Sequence, residues 1–583
     1  MAARLHRPDP RRVVRLGLVG GLTAVFLSAI GMVEAFAVRS LVDPEVVLGY
    51  VTVALVPFVF GYVAAKPPPV REGMEPVRPG GLSVTAGALV GVLTAGVVAL
   101  FVVITSEVNV RGVLQNVSPP LLDILTFHRG VSQGVAWLFF GGTLIAAGGA
   151  AVHLIPARFR RPVVLAVTWV LIFGLLQTLI AQVFRGLKIG DVVNPFLYKG
   201  SRGLSIHGAI TVWIAVFALV VSMEGQRQAV RRRLDEATPA MRRNYLLFGL
   251  AVAILVLAVT PHILGNFLSE VLDLAGIFLL MALGLNIVVG YAGLLDLGYV
   301  AFFAVGAYTG AVLTSPLSPT LDPELSFWTS IPFIMMAAAL AGIVVGTPVL
   351  RMRGDYLAIV TLGFGEIARI LFLSDALKPY FGGAQGIIQI PNISIGPVDF
   401  VTSQEFFYII YGLAIVLIYV SWALQHSRVG RAWMAMREDE TVAEVMGVNI
   451  VQAKLQAFII GAILASLGGA LFAHKIGSIF PHSFNIVVSI TVLMVVIVGG
   501  MGSIPGVALG AIVLVGAPEL LREFSEFKFL LYGALLIFMM LNKPEGLIPS
   551  KERAQELHQD EAAQDAWLRR EALGETEPEP AGP

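Results

Sequence analysis

Charged side chains are rare in the apolar parts of this 583-residue chain, so the few that occur there are the first candidates for chemistry. Glu366 and Arg369 stand three residues apart in the apolar segment 354–369. On a helix this spacing lets the carboxylate and the guanidinium neutralise each other. A charge inside a membrane is costly, so the pair either belongs to a transport pathway or is an internal structural pair. The sequence alone leaves both interpretations open.

A glycine-rich apolar segment, residues 284–310, supplies the second group of candidates. Its small residues would let membrane helices approach closely, and two glycines three residues apart could turn or unwind the backbone. Its two polar side chains would be costly against lipid, so we expect them to face the bundle interior, where they act in translocation or cap a turn. The candidates for the pathway or for helix packing are Asn286, Gly290, Gly293, Asp296, Gly306 and Gly310.

The longest polar stretch of the C-terminal half covers residues 425–454, and within it we predict a short helix. Three acidic residues suit the positive N-terminal end of this helix, three apolar residues form an edge with i, i+3, i+4 spacing, and a glycine can end it. These are Glu438, Asp439 and Glu440; Val442, Val445 and Met446; and Gly447. A helix of this kind between two membrane spans is suited to receive force from a soluble partner.

Several catalytic and metal-binding motifs are absent from the sequence. There is no cysteine, which excludes thiolate metal sites and a catalytic thiol. There is no Gly-Lys dipeptide, and hence no Walker A loop, and neither a His-Glu-x-x-His nor a Gly-x-Ser-x-Gly motif. We therefore predict no metal site, no catalytic residues and no ATPase motif in this chain. A membrane-embedded enzyme is disfavoured because no loop gathers convergent catalytic groups.

The composition identifies the elements that must position these residues. With 56% hydrophobic and 14% charged residues, 61 glycines and a mean hydropathy of +0.81, the chain is a polytopic membrane protein. We predict an all-α transmembrane bundle of about 14 to 16 spans, counted as apolar runs of roughly 20 residues. The runs are 13–35, 46–65, 82–105, 131–155, 162–184, 205–223, 245–262, 267–289, 293–314, 327–349, 355–373, 404–424, 454–474, 486–500, 504–521 and 528–542. Run 486–500 is short enough to be re-entrant.

Lysine and arginine indicate the orientation and the division of the chain. Most of them fall in connections on the side of the N-terminus, so the positive-inside rule predicts N-in and C-in, although the basic outer loop 185–203 fits badly. We predict an N-terminal group of spans over 1–226, an Arg-rich cytoplasmic linker over 227–244, a second group over 245–545 and a polar acidic tail over 546–583. The linker arginines set topology or, alternatively, bind lipid headgroups or a partner.

Four segments of the second group, in this order, resemble the LivM-type permease of branched-chain amino acid ABC importers. They are 284–310, 354–369, 427–449 and 498–503. The resemblance covers roughly residues 245–545, which it identifies as a LivM-like permease core. It gives no family role to the preceding residues, for which packing around the core or regulation is favoured over a second pathway.

The resemblance implies a multi-pass subunit of the bacterial plasma (inner) membrane in an ATP-driven importer of branched-chain or related amino acids. The implied partners are a second, LivH-type permease, two ABC ATPase subunits, an extracytoplasmic substrate-binding protein and membrane lipid, but no nucleic acid. ATP would be bound by the partner subunits, so this chain itself needs no cofactor. The substrate stays open among branched-chain amino acids, other amino acids, amides and urea.

In importers of this kind a helix in a cytoplasmic loop of the permease docks on the ATPase. The family pattern Glu-Ala-Ala-x-x-x-Gly is matched here in part, by Ala443 and Gly447, while Thr441 and Val442 occupy its first two positions. The implied coupling residues are Glu440, Thr441, Val442, Ala443, Glu444, Met446, Gly447 and Asn449. The alternative function is an ion-coupled secondary transporter of a small polar solute, with Asp296, Glu366 and Arg369 as its coupling groups.

Overall fold

Helices dominate the computed structural model, which describes residues 9–42, 46–66, 80–200, 203–235, 239–319, 324–349, 352, 354–520 and 527–550. Within these ranges 11 helices are long and apolar enough to cross a membrane, or up to 12 if a bent pair counts as one span. Two shorter apolar helices accompany them, Val300–Thr314 and Ile504–Glu519. The predicted all-α, polytopic membrane fold is confirmed, and strands of two or three residues occur in its connections.

The chain divides into two compact units, Met1–Leu255 and Val256–Pro583. In the first unit, α1, α3, α4 and α6 pack together around apolar side chains such as Val90, Val98 and Val102. Its helices are α1 (Pro10–Ala29), α2 (Met32–Ala37), α3 (Leu48–Ala65), α4 (Gly81–Glu107), α5 (Pro119–Leu125), α6 (Gly130–Ala151), α7 (Ala157–Leu175), α8 (Gln177–Gly186), α9 (Gly190–Leu197) and α10 (Ile206–Asp235), and its strands are β1 (Ser40–Val42) and β2 (Val46–Val47).

The predicted span 162–184 is broken in the structure, because the chain bends by 85° between α7 and α8. The bend is stabilised by polar groups that a continuous helix could not use. Arg39 Nη2 donates to the carbonyl oxygen of Leu175 at 2.8 Å, at the end of α7. The amide of Gln177, at the start of α8, is buried and donates to Gly200 O at 2.7 Å. In the sequence, the available signal for this break was a glutamine in the middle of an apolar run.

The division between the units falls inside α11, and the remaining elements belong to the second unit. They are α11 (Pro239–Leu285), α12 (Val300–Thr314), α13 (Phe327–Val349), α14 (Asp355–Leu373), α15 (Lys378–Phe381), β3 (Ile387–Ile388), β4 (Ile393–Ile395), β5 (Val398–Phe400), α16 (Ser403–Gln425), α17 (Arg428–Glu438), α18 (Glu440–Val445), α19 (Ile450–Ile476), β6 (Ser478–Ile479), α20 (Ile486–Gly499), α21 (Ile504–Ala511), α22 (Ala517–Leu520) and α23 (Lys528–Asn542). Strand β3 pairs with β6, and β4 with β5, both antiparallel. Two π-helical segments, Asn286–Tyr291 and Ile512–Gly516, follow α11 and α21.

Several boundaries of the second group differ from the hydropathy runs. The runs 245–262 and 267–289 both fall in the α11 region, where Gly265 has a non-helical backbone (φ 73°, ψ −179°). The run 293–314 shortens to α12, because residues 292–299 form a turn without helix. The run 486–500 is α20, part of the candidate span Pro481–Gly499. Apolar turns therefore account for part of the difference between the predicted and observed numbers of spans.

The predicted linker 227–244 is largely helical, since α10 extends to Asp235 and α11 begins at Pro239. Residues 236–238 and the side chains of the linker arginines lie outside the described part of the chain. The tail beyond residue 550 also lies outside it, so the cytoplasmic location of this acidic tail stays a prediction.

Helix α19 lies at the centre of the second unit, where it packs against α12 and α13. The backbones of α12 and α19 touch at Gly306, where an added Cβ would lie 2.0 Å from Ser466 O. The predicted partner in the small-residue pattern, Gly310, has ordinary spacing, with its nearest side-chain atoms at 3.5 Å. One glycine of the pair is therefore required by packing, and the other is not.

These two glycines provide a matched test of the packing. Gly306→Ala should destabilise the protein by about 1–3 kcal/mol, because backbone atoms must move to admit the methyl group. Gly310→Ala, one helical turn away, should leave stability nearly unchanged. Thermal unfolding of the purified protein in detergent measures both. Equal unfolding temperatures for the two variants would contradict the close contact of α12 with α19.

Candidate coupling site

The predicted short helix in the polar loop is α18, which covers Glu440–Val445. Asp439 is its N-cap: the Oδ1 atom accepts hydrogen bonds from the backbone N–H groups of Thr441 (2.7 Å) and Val442 (3.0 Å). Gly447 follows the helix with φ +91°, a conformation that favours glycine. Asn449 lies beyond α18 and caps the next helix, since its Oδ1 accepts from Gln452 N at 3.0 Å.

The apolar edge of α18 is exposed. Val442, Val445 and Met446 are 58%, 82% and 79% exposed, while Ala443 on the opposite side is buried at 3%. Thr441 and Glu444 are also exposed. Helix α18 and its C-cap Met446 together present three large apolar side chains to their surroundings, a surface suited to a protein partner.

Glu440 does not belong to that exposed surface. Its Oε1 lies 2.7 Å from the ammonium of Lys454, and the Lys454 side chain is only 3% exposed. The preceding helix adds a second anchor, because the indole N–H of buried Trp433 donates to Ala453 O at 2.8 Å. The loop is therefore held rigidly on the first turn of the central helix α19. The contact with Lys454 places Glu440 on the side of α18 that faces α19.

Arg437, the penultimate residue of α17, connects the loop to the π-helical segment. Its Nη1 donates to Gly290 O at 2.9 Å, and its Nη2 lies 2.9 Å from Glu438 Oε1. The aliphatic part of the side chain packs on Gly293, where an added Cβ would lie 2.6 Å from Arg437 Cγ. The predicted glycine pair thus forms a turn, with φ +71° at Gly293, against which the guanidinium-bearing side chain rests.

The contact continues from this turn to the break between α20 and α21. Asn286 is buried, and its Oδ1 accepts a hydrogen bond from Gly502 N at 2.8 Å. Gly502 has φ +78°, in the turn that precedes α21. Arg437, the Asn286–Tyr291 segment and the turn at Gly502 therefore form one connected set of contacts. Sequence reasoning named Asn286 and the glycines but not Arg437.

Asp296 is buried in the turn before α12, where its Oδ1 accepts from Gly298 N at 2.8 Å. The same turn is fixed to two other helices: Leu297 N donates to Thr361 Oγ1 of α14, and Val300 N donates to Ser489 Oγ of α20. This is the geometry of a turn cap, one of the two roles that the sequence left open. Among the described residues, Asp296 forms no hydrogen bond or ion pair with Glu366 or Arg369.

Glu366 and Arg369 form the predicted i, i+3 pair on α14, and Arg369 Nε lies 3.0 and 3.1 Å from the two carboxylate oxygens. The side chains are partly exposed, 42% for Glu366 and 27% for Arg369. The two charges therefore neutralise each other locally on α14.

We expect the double variant Glu366→Gln/Arg369→Gln to be milder than either single change. Each single change leaves one uncompensated ion on a membrane helix, which is unfavourable next to lipid. The measurement is the amount of assembled protein in the membrane together with uptake. Loss of uptake in a double variant that is fully assembled would instead place the pair in the pathway.

Sequence reasoning missed a buried ion pair, Asp273 with Lys475. Lys475 Nζ lies 2.7 Å from Asp273 Oδ2 and also donates to Ser403 Oγ at 2.7 Å. The Asp273 side chain is 1% exposed and that of Lys475 is 12% exposed. The available signals were an acidic residue in the apolar run of α11, three positions after Glu270, and a lone lysine in the last turn of α19. The two residues are 202 positions apart, so their pairing could not be inferred from spacing.

Comparison with known proteins finds relatives for this part of the chain. Residues 267–540 match a family described as branched-chain amino acid transport system / permease component. The high-affinity branched-chain amino acid transport system permease protein LivM of Escherichia coli K12 is 42% identical over 322 residues, covering 51% of this chain and 74% of that protein. The LivM protein of Salmonella typhimurium LT2 is 39% identical over 322 residues, with the same coverage of 51% and 74%. LivH of Escherichia coli K12 is 24% identical over 302 residues, covering 48% of this chain and 93% of LivH. No solved structure matches.

All of these relatives are permease components, and the region they match contains α18, the Arg437 contact and the central helix α19. The identity to LivM extends over most of that protein's length. With its many apolar helices, the chain is a multi-pass protein of the bacterial inner membrane. It belongs to the LivM-type permease family of branched-chain amino acid ABC importers.

Proposed function

We propose that this chain is one of two permease subunits in an importer of branched-chain amino acids, and that α18 is the helix on which an ATPase subunit acts. The observation that carries the proposal is the exposed apolar edge of α18 on a rigid support. Val445 and Met446 are more than three-quarters exposed, while the contacts of Lys454 and Trp433 fix the loop to α19. An apolar edge of this kind fits a groove on a soluble partner, and a rigid support allows movement of the partner to be transmitted.

The proposed assembly contains a LivH-type permease, two ABC ATPase subunits and an extracytoplasmic substrate-binding protein. The ATPase subunits bind ATP, and this chain contributes neither a nucleotide site nor a cofactor. The absence of a Walker A sequence from the chain supports this division of labour. The relatives named LivM and LivH are both permease components of one transport system, which supports pairing with a second permease.

The proposed orientation is N-in and C-in, which places α18 in the cytoplasm with the ATPases. The distribution of lysine and arginine supports it. The opposite ends of the long helices, including the Lys475 end of α19 and the β4–β5 hairpin, then face the substrate-binding protein. Lys454 and Lys475 are separated by roughly 30 Å along α19, the thickness of the hydrocarbon core.

The proposal is tested by reconstituting the chain with its partner permease, both ATPases and the binding protein in proteoliposomes. Uptake of radiolabelled leucine should require ATP on the side of the proteoliposome membrane that carries the ATPase subunits. It should persist when ionophores collapse all ion gradients. Competition by isoleucine, valine, an aliphatic amide and urea then ranks the substrates. Uptake that needs an ion gradient but no ATPase would favour the secondary transporter instead.

A further inference from the structure

The buried Asp273–Lys475 pair joins three helices at the end of the second unit opposite to α18. Asp273 lies in α11, Lys475 in the last turn of α19, and Ser403 is the first residue of α16. Lys475 Nζ contacts Asp273 Oδ2 and Ser403 Oγ, each at 2.7 Å, and lies 5.1 Å from the ring centroid of Phe406. A single ammonium group thus holds a carboxylate, a hydroxyl and an aromatic face together.

The polar groups of this site are incompletely satisfied. The second carboxylate oxygen, Asp273 Oδ1, is buried and has no hydrogen-bond partner among the described residues. The hydroxyl of Ser269, one helical turn earlier and fully buried, likewise finds no partner in the described part of the chain. A buried polar group without a partner costs about 1–3 kcal/mol, and here two such groups lie on adjacent turns of one helix, beside an ion pair. Both atoms therefore have unused hydrogen-bonding capacity.

The backbone places these groups at the start of a half-helix. Gly265 interrupts α11 with φ 73° and ψ −179°, so the helical segment that holds Ser269 and Asp273 begins just after it. Helix α16 contacts both sides of the break: Tyr408 OH donates to Ala258 O at 2.8 Å, and Tyr411 OH donates to Leu272 O at 3.1 Å. The first turns of a broken membrane helix are where transporters commonly place polar groups that contact substrate.

We propose that Asp273, Lys475 and Ser269 form a recognition site for the two charges of a zwitterionic amino acid, entered from the end opposite α18. The α-ammonium group binds the Asp273 carboxylate and the Ser269 hydroxyl. The ion pair between Asp273 and Lys475 breaks, and the Lys475 ammonium pairs with the α-carboxylate instead. One protein ion pair and one zwitterion become two intermolecular ion pairs, so no net charge is left in the membrane. This inference rests on the proposed amino acid importer and adds the residues that bind its substrate.

The exchange discriminates by charge. An amide or urea has no carboxylate to hold Lys475 and no ammonium to hold Asp273, so opening the pair would leave two buried ions uncompensated. The aliphatic side chain of the substrate makes no contribution to this exchange. The site therefore selects zwitterions as a class, and the choice among leucine, isoleucine and valine is made elsewhere.

Equilibrium binding of radiolabelled leucine to the assembled complex in nanodiscs, without the binding protein, tests the site. Asp273→Asn and Lys475→Gln should each weaken leucine binding by at least about tenfold, because a charge-assisted hydrogen bond to each end of the substrate is lost. The matched controls are Asp399→Asn and Lys378→Gln, which make the same chemical changes at exposed positions of the loop between α14 and α16. Both should bind leucine like the wild type.

Competition on the wild-type complex requires no variant and decides the question if a variant fails to assemble. Leucinamide lacks the carboxylate and 4-methylpentanoate lacks the ammonium group, so each should compete at least about tenfold more weakly than leucine. Equal competition by either compound, or wild-type leucine affinity in assembled Asp273→Asn and Lys475→Gln complexes of lowered thermal stability, would make the pair purely structural. A wild-type complex that binds and imports no amino acid would instead overturn the proposed function.

Discussion

Val445→Asp and Met446→Asp should each abolish ATP-driven uptake while the protein inserts and folds normally. The two side chains are 82% and 79% exposed, so their replacement removes no contact within the chain. In the proposed complex they are buried in an ATPase groove, where an unpaired carboxylate is strongly unfavourable. We expect ATPase docking to weaken by at least about tenfold for each variant.

Two measurements check this expectation: co-purification of the ATPase subunits with the permease pair, and leucine uptake in proteoliposomes. Ile395→Asp is the matched control, because Ile395 is 51% exposed on strand β4 of the loop that precedes α16. That variant should retain the ATPases. Normal docking and uptake by both α18 variants would remove α18 from the ATPase interface.

Glu440 would be an unsuitable probe of the same interface. Reversal of its charge would place a cation beside Lys454, which is almost fully buried, and would damage the support of α18 from within. Loss of activity in such a variant would report the fold of the loop. Variants at the exposed edge of α18 test docking without disturbing the fold of the loop, whereas variants at Glu440 disturb both.

Local sequence signals were sufficient to predict α18. An acidic N-cap, an apolar edge and a terminal glycine all act within a few residues of each other, and the structure has Asp439 as the cap and Gly447 at φ +91°. The all-α membrane fold could also be predicted, because an apolar run of membrane length leaves helix as the conformation that satisfies the backbone. These features depend on short-range chemistry, which a single sequence contains.

Features that depend on long-range packing could not be predicted. The Arg437–Gly290 contact joins residues 147 positions apart, and Asp273–Lys475 joins residues 202 positions apart. Polar contacts with other elements determine the bend after α7 and the start of α12 at Val300, seven residues later than the apolar run begins. Hydropathy does not detect such contacts. The two charges that the sequence marked most clearly, Glu366 and Arg369, satisfy each other locally. Spacing thus found the pair that is near in sequence and missed the one that is buried.

Arg437→Gln should separate ATP hydrolysis from uptake. The side chain connects α17, next to the proposed ATPase helix, with the turn at Gly290 and Gly293, and Asn286 extends the connection to Gly502. Glutamine is too short to donate to Gly290 O and pack on Gly293 at the same time. It is also uncharged, so it cannot form the ion pair with Glu438. Movement of α18 would then be absorbed in the loop instead of reaching the helices that form the pathway.

The expected result is an assembled complex that hydrolyses ATP but imports at least about tenfold less leucine per ATP than the wild type, a coupling loss of about 1.4 kcal/mol or more. Arg431→Gln is the matched control on the same helix, because Arg431 is exposed and its Nη1 donates to the nearby His426 O at 3.1 Å. The ratio of leucine imported to ATP hydrolysed is measured for both in proteoliposomes. Arg437→Gln should keep the ATPase subunits bound, whereas Val445→Asp should lose them. A lowered ratio in a complex that keeps its ATPase subunits therefore indicates a broken connection within the permease. A wild-type ratio for Arg437→Gln would mean that the force passes through α19 and the Lys454–Glu440 pair alone.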